Sequence, residues 1–203
     1  MNLIFIGPQA SGKGTQAKVI ASRYKLCHVS TGDLLRNATG EAKAQIDALL
    51  KGGNLVPDEV VVSLLKERMT KTDCANGVIL DGFPRTLEQA KTLDSFCKID
   101  KVVEISLSDE EAVKRLETRR SCVKCGAVFN TITNPPKKEG VCDNCNSEIV
   151  KRADDEEKAI RKRLETYHKL TSPVLEYYKN KLVTIDGEQA IAKVSEDVVK
   201  AVF

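Results

Sequence analysis

The sequence predicts an α/β fold, a doubly wound five-stranded parallel sheet core with helices on both faces. Five short apolar runs of strand length recur along the chain, helical patterns separate them, and those helical stretches have readable ends. Strands alternating with helices are joined by crossovers, which makes the sheet parallel and covers both its faces. The 203 residues are 41% hydrophobic and 30% charged, with a net charge of +3, which excludes a disordered chain. The chain lacks the run of about 18 apolar residues that a membrane span needs. At about 150 residues per domain, the length suits one domain with room for an insertion.

The first strand, residues 3–6, has no basic region before it and reads as mature structure, not a leader. A glycine-rich loop follows, then a helix over 15–24. The second strand, 27–30, runs into a turn where Thr31 and Asp33 are candidate helix caps. Gly52-Gly53 closes the next helix, and Pro57-Asp58-Glu59 opens one over 60–69. The third and fourth strands are 78–81 and 102–106. Ser108-Asp109-Glu110-Glu111 has a capping-box pattern and opens a helix to about residue 120. Residues 121–150, with two cysteine pairs, Gly126, Pro135-Pro136 and Gly140, break the periodicity and read as a separately stabilised insertion. Asp154-Asp155-Glu156-Glu157 puts acid at the positive end of a helix running to about residue 169. The fifth strand is 182–186.

Charge is placed unevenly. Residues 1–36 carry five Lys/Arg against one acid, and residues 119–152 carry seven against three. Two basic zones in a nearly neutral chain suggest anionic ligands at specific places. Trp is absent and aromatics make up 4%, which leaves few stacking platforms for nucleic acid.

Gly7-Pro8-Gln9-Ala10-Ser11-Gly12-Lys13-Gly14-Thr15 lies between strand and helix, the context of a P-loop. Its glycines let backbone N–H groups face phosphate oxygens, and the helix N-terminus adds partial positive charge. Lys13 reaches the β/γ-phosphates and Thr15 the magnesium ion. The usual pattern puts Ser/Thr directly after Lys, whereas here Gly14 intervenes.

Cys122-x₂-Cys125 and Cys142-x₂-Cys145, sixteen residues apart, have zinc-ribbon spacing. Four thiolates make a closed, structural site with no open catalytic position, and an insertion of about thirty residues has too little core to fold unaided. Iron also occupies such sites. Seven cysteines, an odd number, disfavour a disulfide framework and point to the reducing cytoplasm. Cys27, Cys74 and Cys97 read as unpaired, buried small residues.

Gly12-Lys13-Gly14-Thr15, Ser30-Thr31-Gly32-Asp33-Leu34-Leu35-Arg36, Asp81-Gly82-Phe83-Pro84-Arg85-Thr86, Arg152-Ala153-Asp154-Asp155 and Arg161-Lys162-Arg163-Leu164 stand in family order across nearly the whole chain. Together they resemble nucleoside monophosphate kinases, and most closely long-form adenylate kinases, some of which carry a four-cysteine lid. The resemblance implies reversible transfer of phosphate from Mg·ATP to AMP, giving two ADP. It implies a core over 1–29, 60–120 and 152–203, a helical AMP-binding segment over 30–59, and a zinc-ribbon-like lid over 121–151.

By that resemblance Lys13, Arg85, Arg119, Arg152 and Arg163 are catalytic. Ala10, Ser11, Gly12, Lys13, Gly14, Thr15, Arg115, Arg119, Val128, Phe129 and Gln189 contact ATP, with Arg115 stacking on adenine. Thr31, Arg36, Asn54, Leu55, Val56, Gly82, Arg85, Gln89, Arg152 and Arg163 contact AMP. Asp81 holds magnesium through water, and Cys122, Cys125, Cys142 and Cys145 hold structural zinc. On spacing alone, Arg115 and Arg119 share one helical face, as do Arg85 and Gln89. A cytoplasmic monomer without nucleic-acid or membrane partners is expected. The rival readings are a GTP:AMP or other nucleoside monophosphate kinase and, more distantly, a non-catalytic nucleotide- or nucleic-acid-binding zinc protein.

Overall fold

The strand β1 (Leu3–Ile6) is buried on both faces, and that sets the architecture. Leu3 and Phe5 pack on one side with Ala17 and Ile20 of α1 (Lys13–Tyr24) and with Val194, Val198 and Val202 of α9 (Ile191–Val202). Ile4 and Ile6 pack on the other side with Val61, Leu65, Leu93 and Val174. Fully burying each such side chain contributes about 1.5–3 kcal/mol, so the central strand anchors both layers. The computed structural model describes residues 1–40 and 43–203. Glu41 and Ala42, inside the expected 30–59 segment, lie outside the described residues.

The main sheet is parallel, in the order β2-β3-β1-β4-β8, where β2 is Cys27–Ser30, β3 Val78–Asp81, β4 Lys101–Ser106 and β8 Leu182–Asp186. From β1 the chain goes to the edge strand β2, returns inward to β3 beside β1, then crosses to β4 and β8 on the other side. This reversal opens a crevice at the carboxyl ends of the strands, where ligands collect in such sheets. The loop after β1 and the last residue of β3, Asp81, both lie at that edge, and Phe5 and Asp81 are register partners.

Between β2 and β3 run α2 (Thr31–Arg36), α3 (Lys43–Lys51) and α4 (Asp58–Met69), then a 3₁₀ turn at Thr72–Cys74. After β3 comes α5 (Leu87–Asp94), and after β4 comes α6 (Asp109–Glu117). The insertion forms a small antiparallel sheet, β6-β5-β7, from β5 (Arg119–Cys122), β6 (Val128–Asn130) and β7 (Ile149–Val150). Its own core holds Cys122, Phe129, Cys142 and Ile149. The chain returns through α7 (Glu157–Thr166), a π-helical turn at Tyr167–Thr171 and α8 (Ser172–Tyr177).

Six local expectations are corrected. Arg85 lies before α5, whose cap is Thr86, so Arg85 and Gln89 do not share a helical face. The helix expected to reach residue 120 stops at Glu117, and Arg119 opens β5, so Arg115 and Arg119 do not share a helical face. The helix expected to reach residue 169 is α-helical only to Thr166. The cap of α2 is Ser30, whose hydroxyl accepts from the Asp33 N–H at 3.2 Å. Ser108 makes no side-chain cap and donates instead to Glu188 Oε1 at 2.6 Å. Cys27 and Cys74 form a disulfide across a sequence separation of 47, so they are not lone thiols. Spacing could not reveal that pair, because the parallel register of β2 on β3 brings the two cysteines together.

Candidate functional site

The loop after β1 turns on positive φ at Gly7 and Gly12 (+152° and +91°), and Gly12 leads directly into α1. A Cβ at Gly7 would lie 2.3 Å from the Ile105 carbonyl oxygen, so only glycine passes there. The buried Ser11 hydroxyl and Gln9 Oε1 have no protein partner. Unpartnered buried polar atoms on a glycine-rich turn before a helix N-terminus suit an anionic ligand. The Lys13 ammonium folds back to donate to the Pro8 carbonyl at 3.0 Å. Burial pulls its pKa down to about 8; Asp81 pulls it up, while Arg85, Arg163 and Arg119 push it further down.

Gly14, the residue that departs from the usual loop pattern, has a steric reason. A Cβ there would sit 2.9 Å from Asp81 Oδ2. The same oxygen lies 3.2 Å from His28 Nε2. The Asp81 carboxylate, against Gly14, and the hydroxyl of Thr15, the next residue along the chain, are hard oxygen donors of the kind magnesium takes, so the residues present fit that ion.

Five arginines converge on this crevice from five segments of the chain. Arg36, at the end of α2, donates to Asp33 Oδ1 at 2.7 Å. Arg85, after β3, donates from Nε to the Gly82 carbonyl at 2.8 Å. Arg119 grips Asp155 with two hydrogen bonds, at 2.8 and 2.5 Å. Arg163, on α7, donates to Asp155 Oδ1 at 3.3 Å and lies 3.2 Å from Asp154 Oδ2. Arg152 donates to the Ser121 hydroxyl at 2.6 Å. Burial, then Arg163, pushes the Arg85 pKa down to about 10; burial, then Arg119, does the same to Arg152. Crowded, desolvated cations of this kind are relieved by a polyphosphate anion.

The remaining expected residues are held in varied ways. Thr31 is buried and donates to the Gly82 carbonyl at 2.9 Å. Gln89 is buried on α5, accepting from the Arg85 N–H at 2.7 Å and donating to Asp58 at 2.6 Å. Asn54 and Leu55 are half-buried, and Val56 belongs to the core. The Gly53 backbone is pressed on α7, where a Cβ would meet the Ala159 carbonyl at 2.9 Å. Arg115 is held by Glu111 and the Gly187 carbonyl, at 2.8 and 2.9 Å. Gln189 donates to the Asp186 carbonyl at 3.1 Å. Val128 is exposed on the lid, whereas Phe129 is buried in its core.

Asp155 was missed as a site residue. Its acid run reads as a helix N-terminus in the sequence, yet Asp155 is 0% exposed and joins two arginines. Its position between Arg152 and Arg163 was the available signal.

In the lid, the ligating atoms of Cys122, Cys125, Cys142 and Cys145 all lie within 4.8 Å of one another. A tetrahedral zinc site with bonds of about 2.3 Å has sulfur–sulfur edges of roughly 3.8 Å, so the four thiols fit. Backbone N–H groups favour thiolates at two of the four: that of Ser147 draws Cys145 down to about 6, and that of Cys125 lowers Cys122, whereas at Cys125 the Ala127 N–H is outweighed by burial and the neighbouring thiols, which push it up to about 12. No helix among the described residues is long and apolar enough to cross a membrane.

The family model described as Adenylate kinase matches residues 5–183. An adenylate kinase of Caldicellulosiruptor saccharolyticus is 46% identical over 212 residues, covering 99% of this chain and 98% of that protein. One from Fervidobacterium nodosum is 44% identical, with 100% and 96% covered. One from Archaeoglobus fulgidus is 44% identical, with 98% and 96% covered.

Proposed function

The chain belongs to the adenylate kinase family and is a nucleoside monophosphate kinase, and we propose that its crevice transfers phosphate between Mg·ATP and AMP as follows. Lys13, the loop amides and Ser11 hold the donor phosphates. Arg36 and Arg85 grip the AMP phosphate, where a planar guanidinium suits two oxygens better than an ammonium does. Arg119, Arg152 and Arg163 stabilise the charge on the phosphoryl group in flight. The acceptor oxygen is already anionic at pH 7, so no general base is needed, and catalysis is positioning and charge stabilisation. Thr15 and, through water, Asp81 would hold magnesium, which would supply neutralisation of the phosphate charge. Closure of the lid and of the 30–59 segment excludes water, which would otherwise accept the phosphoryl group.

Arg115, Val128, Phe129 and Gln189 flank the donor base. Thr31, Asn54, Leu55, Val56, Gly82 and Gln89 surround the acceptor base, and Gln89 must release Asp58 or share it to read adenine. Zinc staples the lid through its four cysteines. The protein acts as a cytoplasmic monomer without nucleic-acid or membrane partners.

The observation that carries this reading is the convergence of Lys13, Asp81, Arg85, Arg119 and Arg163 on one crevice, close enough to shift the Lys13 ammonium. A matrix of four donor triphosphates against four acceptor monophosphates tests it, with ATP and AMP expected to give the fastest ADP formation. Lys13→Ala and Arg85→Ala should nearly abolish turnover while the fold survives. Near-normal rates in either variant would overturn the assignment of roles.

A further inference from the structure

The Cys27–Cys74 pair belongs neither to the crevice nor to the lid. We propose that it is a thiol–disulfide exchange site whose oxidant is a small disulfide, and that its oxidation ties the start of β2 to the turn before β3, closing a loop that contains the 30–59 segment and α4. Cys27 opens β2, and Cys74 ends the 3₁₀ turn before β3. Their Cα atoms are 4.7 Å apart, within the span that a disulfide requires. The chain between them contains α2, α3 and α4, so the bond closes a loop around the whole segment.

The surroundings suit reaction at Cys74. It lines a recess of about 370 Å³ together with Asn2, Met69 and Asn76, which gives a small molecule an approach. Arg68 Nη1 lies 3.1 Å from Cys74 Sγ while the same guanidinium binds Asp73 at 2.8 and 2.6 Å. A guanidinium in contact with a thiol favours the thiolate, which is the attacking species, and the Asp73 carboxylate, 3.8 Å from Cys27 Sγ, opposes a thiolate chiefly at Cys27. Cys97 lines the same recess but has no such neighbour; burial and then Asp100 raise its pKa.

The exchange balances in two steps. The Cys74 thiolate attacks one sulfur of the small disulfide, forming a mixed disulfide and releasing one thiolate. The Cys27 thiolate then attacks Cys74 Sγ, forming the protein disulfide and releasing a second thiolate. The two protons lost by the cysteines pass through water to the two released thiolates. Two protein sulfurs are oxidised and one oxidant disulfide is reduced to two thiols; a reducing dithiol reverses the sequence. Cys27 is already paired with Val78 in the parallel sheet, so the cross-link acts mainly on the unfolded chain and leaves the active crevice in place.

The test uses full-length, zinc-loaded protein, reduced with dithiothreitol, desalted and then exposed to oxidised glutathione. Peptide mapping should find a Cys27–Cys74 link with two glutathione thiols released per link. The melting temperature should rise by about 4–16 °C on oxidation. Cys27→Ser and Cys74→Ser should each abolish both the link and the rise, whereas Cys97→Ser should keep both. Arg68→Met should slow linking by about threefold, because losing the guanidinium costs thiolate faster than it adds nucleophilicity. A stable glutathione adduct on Cys74 without the link would overturn the proposal. So would equal melting temperatures for oxidised and reduced protein, or oxidation confined to the lid cysteines.

Discussion

Replacing Asp155 by Asn keeps the shape of the side chain and removes its charge. Asp155 is 0% exposed and meets Arg119 through two hydrogen bonds and Arg163 through one. The Arg119 and Arg163 side chains are themselves only 12% and 15% exposed, so water cannot replace the lost carboxylate. Removing one partner of a buried pair costs about 3–5 kcal/mol. Asp154 remains 3.2 Å from Arg163, so the loss falls mainly on Arg119 and the lower end applies. A loss of about 3 kcal/mol corresponds to a fall in Tm of roughly 6–12 °C for a chain of this size. Loosening Arg119 should also lower kcat by about 10–100-fold, since a misplacement near 1 Å has that scale of effect. Arg36 and Arg85, the proposed AMP phosphate grip, do not touch Asp155, and Asp154 still holds Arg163, so the Kd for AMP should change by less than about threefold. Differential scanning calorimetry, steady-state kinetics and AMP titration measure the three quantities. A Tm within 2 °C of the parent together with an unchanged kcat would refute the view that Asp155 organises the arginines.

Three further outcomes follow from the same geometry. Lys13, at about 8 in the free protein against an ordinary 10.5, loses its proton in the folded state first; between those values the unfolded chain binds more protons, so this group adds stability as pH rises. Bound phosphate restores the charge, so ADP binding above pH 8 should take up a proton and weaken by up to about tenfold per pH unit; titration calorimetry in two buffers checks this, and Lys13→Met should lose the proton uptake. Gly14→Ala should fold normally but push Asp81 aside, since the new Cβ would lie 2.9 Å from its Oδ2; a raised magnesium requirement in kinetic titration is the expected result. Metal analysis should find about one zinc per chain, and chelation should melt the lid early while the main sheet stays folded, as followed by thermal denaturation with and without chelator.

Much of the fold was legible because it rests on local signals. The strands at 3–6, 27–30, 78–81 and 182–186 coincide with β1, β2, β3 and β8; β1 and β3 are buried on both faces and need continuous apolar residues, while the edge strands β2 and β8 bury only part of theirs. The phosphate loop and the cysteine knuckles were legible because each is a short stretch whose spacing carries its own geometry. Errors came where distant neighbours compete with local preference. Ser108 looks like a cap by spacing, but Glu188, eighty residues on, takes its hydroxyl. Arg119 continues a helical pattern, but pairing with Asn130 draws it into the lid sheet.

By itself, the sequence determined the class of fold, the phosphate loop, the four-cysteine lid and the family signatures in their order. Only the tertiary structure decided that Asp155 joins Arg119 to Arg163, that Asp81 fills the space that Gly14 leaves open, and that Cys27 meets Cys74. The physical reason is the same in each case. Hydrophobic patterning and turn chemistry act over a few residues and can be read from spacing. A partner eight to sixty-seven positions away is chosen by strand order and register, which exist only once both faces of β1 are buried.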